Sequence, residues 1–475
     1  MAEFPPIIQG GMGAGVSHWL LAKSVASLGQ LGVVSGTALD LIFVRRLQVG
    51  DPGGHMVRAA SHFPDRAIAH RVVEKFFVPD GIPAGAPFKA IAPYTAEPSR
   101  EQLELTVLAN FCEVFLAKEG HTGPVGINLL EKIQMPNMAS LYGAMLAGVD
   151  FVLMGAGIPW EIPGILDRLS MHEPTTMKLH VEDEQPGLDA HMEFVPASVL
   201  PASLPPLKRP KFLAIVSSST LATALMRRAS GRIDGFVVEG PRAGGHNSPP
   251  RGQMKLSPLG EPIYGARDEA DPVQFRALGL PFWLAGTYGR RGRLKEALEL
   301  GATGIQVGTA FALCAESGLA PELRQALLRK SLNGLAKVFA DPTASPTGFP
   351  FKVAQLAGTL SEPEVYSERP RMCDAGYLRR IYRRPDGALG YRCPAAPVDG
   401  YVAKGGKLED TEGRKCLCNG LMANIGLPQV QRNGYVEQPL ITCGDDLELV
   451  ADFVRPGQED FSVRDVLSAL AEGAF

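Results

Sequence analysis

The sequence predicts an α/β fold, a (β/α)8 barrel with long insertions after its second and fourth strands and a cysteine-rich C-terminal extension. Three observations predict it. Eight short apolar runs recur with helical patterns between them, the mark of parallel strands buried on both faces. The sixth run passes directly into Glu239-Gly240-Pro241-Arg242-Ala243-Gly244-Gly245-His246, which leaves an imidazole at a strand's C-terminal end, where barrel enzymes keep their chemistry. Glycine turns, Ala285-Gly286-Thr287 and Gly308-Thr309, follow the seventh and eighth runs, where this fold commonly builds phosphate sites.

The strands are expected at Pro6–Gln9, Gly32–Ser35, Val125–Leu129, Phe151–Met154, Phe212–Val216, Gly235–Val238, Phe282–Ala285 and Gly304–Val307. A helix precedes the third strand: Ser99 with Gln102 reads as a capping box, Gly120 closes the helix, and Cys112 lies on its apolar face with Leu105, Leu108 and Phe115. Two connections exceed what a minimal barrel needs. One, at about 40–97, holds Asp51-Pro52-Gly53-Gly54-His55 and a helix near Asp65–Phe77; the other, at about 157–210, ends in a proline-rich stretch. Loops of that length usually have a function. Both follow barrel strands, so each is expected either to form a lid or substrate wall or to be a solvated excursion or subunit contact. The barrel then covers residues 1–350 and the extension 351–475. A last amphipathic helix, Val463–Ala471, is capped by Ser462 with Asp465.

Composition narrows the class. Over 475 residues, 47 Lys and Arg nearly balance 50 Asp and Glu, so no electrostatic footprint for nucleic acid or an anionic membrane is visible. No run reaches the ~18 apolar residues of a membrane span. The start has no basic segment leading into an apolar stretch, and a cytoplasmic protein is expected by default. A homo-oligomer stays open. Gly11-Met12-Gly13-Ala14-Gly15 fails the dinucleotide fingerprint, because the third glycine would fall at Val16 or His18. Gly405-Gly406-Lys407 lacks the Ser or Thr of a phosphate-binding P-loop.

Gln9-Gly10-Gly11-Met12, Gly126-Ile127-Asn128-Leu129, the run from Glu239 to His246, Ala285-Gly286-Thr287 and Gly304-Ile305-Gln306-Val307-Gly308-Thr309-Ala310-Phe311 occur in that order. Together they resemble the nitronate monooxygenase (2-nitropropane dioxygenase) family, FMN enzymes that include flavin-type enoyl reductases. The resemblance covers roughly residues 1–350. This chain departs from the family wording at two places: Pro241-Arg242 precede Ala243, and Ser248 stands where a glycine is usual.

The resemblance implies bound FMN. Amides at Gly308 and Thr309, with Ala285, Gly286 and Thr287, would hold its phosphate. Gln9, Gly10, Gly11 and Met12 would lie against the ring system, and Asn128 and Ser217 would reach its polar edge. Glu239, Gly244 and Gly245 complete the cofactor set, and Gln306 either faces the ligand or is a structural barrel glutamine. His246 is the expected catalytic residue, a group that binds or protonates a substrate oxyanion beside the flavin, because imidazole titrates in the useful range. The other histidines, His55 and His121 among them, are read as ordinary surface or core residues. The implied reaction is oxidation of small alkyl nitronates through flavin and O2. Reduction of an enoyl thioester in lipid or polyketide assembly is the alternative, and a flavin- or metal-binding protein without turnover a third.

Five of the seven cysteines fall after residue 350: Cys373, Cys393, Cys416, Cys418 and Cys443. A segment poor in core residues needs a staple, and a reducing compartment disfavours disulfides. Cys373, Cys393, Cys416 and Cys418 are therefore candidate ligands of zinc or an iron–sulfur cluster. Their spacing matches neither a paired C-x-x-C ribbon nor a ferredoxin run, so separate buried thiols are the other reading.

Overall fold

A computed structural model of the protein describes residues 4–182, 184, 187–200 and 204–474. Eight strands close a barrel: β1 (Ile7–Gln9), β2 (Leu31–Ser35), β3 (Val125–Leu130), β4 (Phe151–Gly155), β5 (Lys211–Val216), β6 (Gly235–Glu239), β7 (Phe282–Ala285) and β8 (Gly304–Val307). Each pairs in parallel with its sequence neighbour, and β1 meets β8 at the seam, where Ile8 stands opposite Gln306. The expected (β/α)8 barrel is therefore the observed one, with every strand within a residue or so of its expected limits. Its inside is filled by Ile8, Leu31, Val33, Phe151, Leu153, Leu213, Val237, Trp283 and Ala285, a cluster distinct from the outer core between strands and helices. Trp283 is fully buried and its indole N–H is satisfied by the Pro5 carbonyl at 2.9 Å. Side chains that alternate in and out of a closed sheet give these two cores, and burial of each large apolar side chain contributes about 1.5–3 kcal/mol.

The helix before β3 spans Arg100–Lys118. Ser99 caps it through the Gln102 amide, but the Gln102 side chain bonds the Ala92 carbonyl instead, so the expected capping box is only half made. Cys112 is buried in its face. The helix near Asp65–Phe77 is Arg66–Phe76, with Asp65 as N-cap.

Both long insertions grip the C-terminal segment. From the first, Arg45 donates to the Leu427 carbonyl at 2.7 Å and Asp40 accepts from Tyr377. From the second, Val181–Glu182 pairs with Arg380–Arg383, and Glu182 accepts from Arg380 and Arg392 at 2.9 Å each. Neither insertion supplies a residue to the main cavity, so neither forms the substrate wall.

Residues 351–475 are less separate than their composition suggested. Strands β9 (Val338–Asp341) and β10 (Phe351–Ala354) make an antiparallel hairpin across residue 350. Leu417, Met422, Leu440, Ile441, Val450 and Phe453 are buried in the same core as the outer faces of the barrel. The segment has its own share of core residues and needs no staple. Arg369 and Glu437 form an almost fully buried pair at 2.7 Å, and Asn419 and Gln431 also donate to Glu437. Helix Val463–Ala471 starts with the full capping box of Ser462 and Asp465. Among the described residues, no helix is long and apolar enough to cross a membrane.

Candidate active site

A cavity opens at the C-terminal ends of the strands, with about 1330 Å³ of empty space counted out to its mouth. Of the residues singled out in the sequence, Gly10, Gly11, Met12, Asn128, Glu239, Gly244, Gly245, His246, Ala285, Gly286, Gln306, Gly308 and Thr309 line it. Three do not. Gln9 is fully buried behind the wall; its side chain accepts from the Val33 amide and donates to the Val33 carbonyl, the Gly10 carbonyl and Ser17 Oγ, which fixes the β1 turn. Ser217 faces a neighbouring hollow with Asn247, Ser248 and Arg251. Thr287 stands beyond the lining at Gly286.

The wall is shaped for a flat, polar-edged ligand. A Cβ at Gly11 would come within 2.4 Å of Asn128 Cβ, so only glycine lets the β1 turn lie against β3. Asn128 donates through Nδ2 to the Gly11 carbonyl at 3.1 Å, which leaves its Oδ1 buried without a partner. Gln306 Oε1 is likewise buried and unpaired. Both side chains line the cavity, and a buried acceptor without a protein partner is costly unless another donor meets it. A flavin has an imide N–H and polar edge of that kind, and the glycine turns at Gly286 and Gly308 stand on the same wall. The residues present thus fit FMN.

His246 follows β6 in a short backbone ladder, opposite Phe351, with the Asn247 amide on the Pro350 carbonyl at 3.0 Å and the Lys352 amide on the Gly245 carbonyl at 2.9 Å. Its Nε2 lies 2.7 Å from Ser345 Oγ, and the Phe351 ring meets it edge-on at 4.8 Å. Burial, and then the charge of Lys132, push its pKa down to about 4. Burial thus favours the neutral ring, against the titration near neutrality expected from the residue type. Lys132, with Nζ 3.4 Å above the Phe349 ring, is itself lowered to about 8 by burial. The Glu239 carboxyl has no hydrogen-bond or ion-pair partner among the described residues, and burial raises it to about 7. Of the cavity-lining residues, Glu239 is the one that burial brings toward neutrality.

The sequence reading missed the far wall. Leu421, Thr442, Cys443, Gly444 and Leu449 close the cavity from the C-terminal segment. Thr442 Oγ1 accepts the Gly245 amide and Thr309 Oγ1 the Gly444 amide, both at 2.9 Å. A Cβ on Gly244 would fall 2.8 Å from the Cys443 carbonyl carbon, so the two loops touch backbone to backbone. Thr442-Cys443-Gly444 carries no recognisable spacing, and nothing in the sequence ties it to Gly244 or to Thr309.

Cys373, Cys393, Cys416 and Cys418 come together around one small internal space near Pro346 and Arg379. Among the described residues, no three His, Cys, Asp or Glu side chains are arranged to hold a metal ion. Burial keeps Cys416 and Cys418 well above the usual thiol range, and the Cys373 thiol bound to Cys393 raises that partner too. Only Cys373 is lowered, to about 7, by that hydrogen bond and Arg379. The zinc or iron–sulfur expectation finds no support in this geometry; it shows free thiols, of which Cys393, Cys416 and Cys418 are held protonated.

A closed parallel barrel with its polar, glycine-lined cavity at the C-terminal strand ends is of the enzyme type. Residues 197–339 match the family model described as Nitronate monooxygenase. It is 37% identical over 114 residues to a "Probable nitronate monooxygenase" of Bacillus subtilis, covering 24% of this chain and 31% of that protein. It is 29% identical over 161 residues to a "Nitronate monooxygenase" of Pseudomonas aeruginosa, covering 33% and 42%. The chain thus spans less than half the length of these curated relatives. Among solved structures, FabK from Thermotoga maritima aligns over 99% of this chain and 92% of its own at 15% identity and a TM-score of 0.49. A nitroalkane oxidase from Streptomyces ansochromogenes aligns over 99% and 95% at 15% and 0.46.

Proposed function

We propose that this protein is an FMN-dependent oxidoreductase that oxidises small alkyl nitronates, with O2 as the final acceptor. The observation that supports this most directly is the convergence of His246 with the orphaned amide oxygens of Asn128 and Gln306 on one glycine-lined cavity. Asn128 and Gln306 would receive the flavin's polar edge, Gly10, Gly11 and Met12 would back its ring system, and Gly286, Gly308 and Thr309 would take its phosphate. FMN, when bound, supplies the two-electron chemistry. The protein's own residues orient and exclude: His246, neutral and fixed, meets an oxygen of the substrate, Glu239 holds or releases a proton near neutrality, and Thr442–Gly444 keep water from the far side.

The electron donor tests the reading. A nitronate is electron-rich enough to reduce a flavin without pyridine nucleotide, whereas an enoyl thioester must receive a hydride and needs NAD(P)H or a protein donor first. Protein denatured after purification should release FMN. Anaerobic addition of an alkyl nitronate should bleach the oxidised flavin, and air should restore it. A spectrum unmoved by nitronate but bleached by NAD(P)H would replace this reading with enoyl reduction, and FAD or no flavin after reconstitution would remove the cofactor assignment.

A further inference from the structure

The neutral ring of His246 can carry its hydrogen on either nitrogen, and the choice decides whether it offers the cavity a donor or an acceptor. Nε2 is engaged by Ser345 Oγ at 2.7 Å; Nδ1 has no partner among the described residues, and the ring lines the cavity. The rest follows from counting hydrogens. Ser345 Oγ has two more neighbours: the Thr347 amide, which donates to it at 3.2 Å, and Thr347 Oγ1 at 2.8 Å. A hydroxyl has one hydrogen and two lone pairs. The amide occupies one lone pair, so the remaining hydrogen and lone pair are divided between the imidazole and the threonine hydroxyl.

If Ser345 gave its hydrogen to Thr347, the threonine's own hydrogen would have no acceptor among the described residues, because its other neighbour, the Phe349 amide at 3.4 Å, is also a donor. If Thr347 donates to Ser345 instead, every group is used. The chain runs in one direction, from the Phe349 N–H to Thr347, from Thr347 to Ser345, and from Ser345 to His246 Nε2. Nε2 then accepts, and the ring hydrogen sits on Nδ1.

The serine is held for this task by groups with no other business at the cavity. It is fully buried. Arg414 donates to its carbonyl at 2.6 Å and to that of Thr343 at 2.8 Å, while Arg380 holds the Pro346 carbonyl at 2.9 Å. The Asp341 carboxylate takes the amides of Thr343 and Ala344 at 2.9 Å each. A turn clamped at four successive residues leaves the hydroxyl little choice of direction.

We propose that Ser345, oriented by Thr347, is a positioning residue that fixes His246 in its Nδ1–H form, so that the imidazole enters the cavity as a hydrogen-bond donor. It then binds a substrate that presents an acceptor oxygen to it, such as a nitronate or carbonyl oxygen, and does not remove a proton. This rests on the reading of the cavity as the flavin site.

Long-range ¹H–¹⁵N spectra of ¹⁵N-histidine-labelled protein, in the form in which it is purified, read the tautomer directly, with the His246 signals assigned by their loss in His246→Asn. The expected result is a protonated Nδ1 and an unprotonated Nε2; a protonated Nε2, with water serving Thr347, overturns the proposal. Ser345→Ala should let the two tautomers mix and lower turnover about ten-fold, the worth of one neutral hydrogen bond, with FMN retained. Thr347→Val should move the ring signals in the same direction. If Ser345→Ala changes neither spectrum nor turnover while His246→Ala is impaired, the positioning role falls and the flavin-site reading stands. If His246→Ala is itself fully active, that reading falls as well.

Discussion

His246 and Glu239 lie on the same strand end but are perturbed in opposite directions, and each shift has a measurable consequence. The imidazole is lowered to about 4 from 6.5, so between those values the unfolded chain binds the extra proton; the stability this contributes is complete above about pH 6.5 and is lost as pH falls toward 4. Glu239 is raised to about 7 from 4.5, so its contribution is present below 4.5 and is lost as pH rises through 7. Glu239→Gln should therefore flatten the decline in urea-unfolding stability between pH 4.5 and 7. It should also abolish any limb near pH 7 in kcat/KM; persistence of both would remove Glu239 as the titrating group. His246→Ala should retain FMN and lose about 10²–10³-fold in turnover, the worth of one positioned hydrogen-bond donor at a reacting oxygen. Loss of FMN in that variant would make His246 a cofactor ligand instead. His246 and the glycines were legible in the sequence because a chemistry-bearing residue at the end of an apolar strand is a local pattern. Ser345 was not, since 99 residues separate it from the imidazole and a serine among turn-forming residues carries no catalytic signature. The ring's neutrality was also out of reach, because burial is a property of the folded state.

Among elements, the strands were legible nearly to the residue, because a parallel barrel writes each as a continuous apolar run bounded by turns. The role of the insertions stayed open in the sequence for an equally physical reason. A loop leaving a strand's C-terminal end starts over the barrel mouth, but its course depends on partners such as Leu427 and Arg380, which lie hundreds of residues on. The contact between the His246 loop and the Thr442–Gly444 turn offers a sharp test. Gly244→Ala would push a methyl into the Cys443 backbone, where no side chain can swing aside. A loss of about 1–3 kcal/mol in stability and weaker FMN retention are expected, measured by thermal unfolding and by flavin content after gel filtration. Wild-type values for both would show that the two loops are free to separate.

For the whole molecule, composition suggested a barrel with an appended, poorly cored tail, while the structure shows a tail that is buried in the barrel's outer core and lines its cavity. The buried pair of Arg369 and Glu437 is the tail's most demanding contact, because either charge left alone in that environment is heavily penalised. Arg369→Met should cost about 3–5 kcal/mol in denaturant unfolding, as for other broken buried pairs. If tail and barrel unfold together, the variant should show one transition shifted as a unit. A first transition that spares the barrel would mean the two parts melt independently.

The wall formed by Thr442, Cys443 and Gly444 also sets an order of events during synthesis. Gly245 waits for a partner 197 residues downstream, so a nascent chain can close all eight strands and still present an open, leaky cofactor site. Flavin capture then becomes a late event that waits for Thr442, and a ribosome stalled shortly before residue 440 should carry a chain that does not retain FMN.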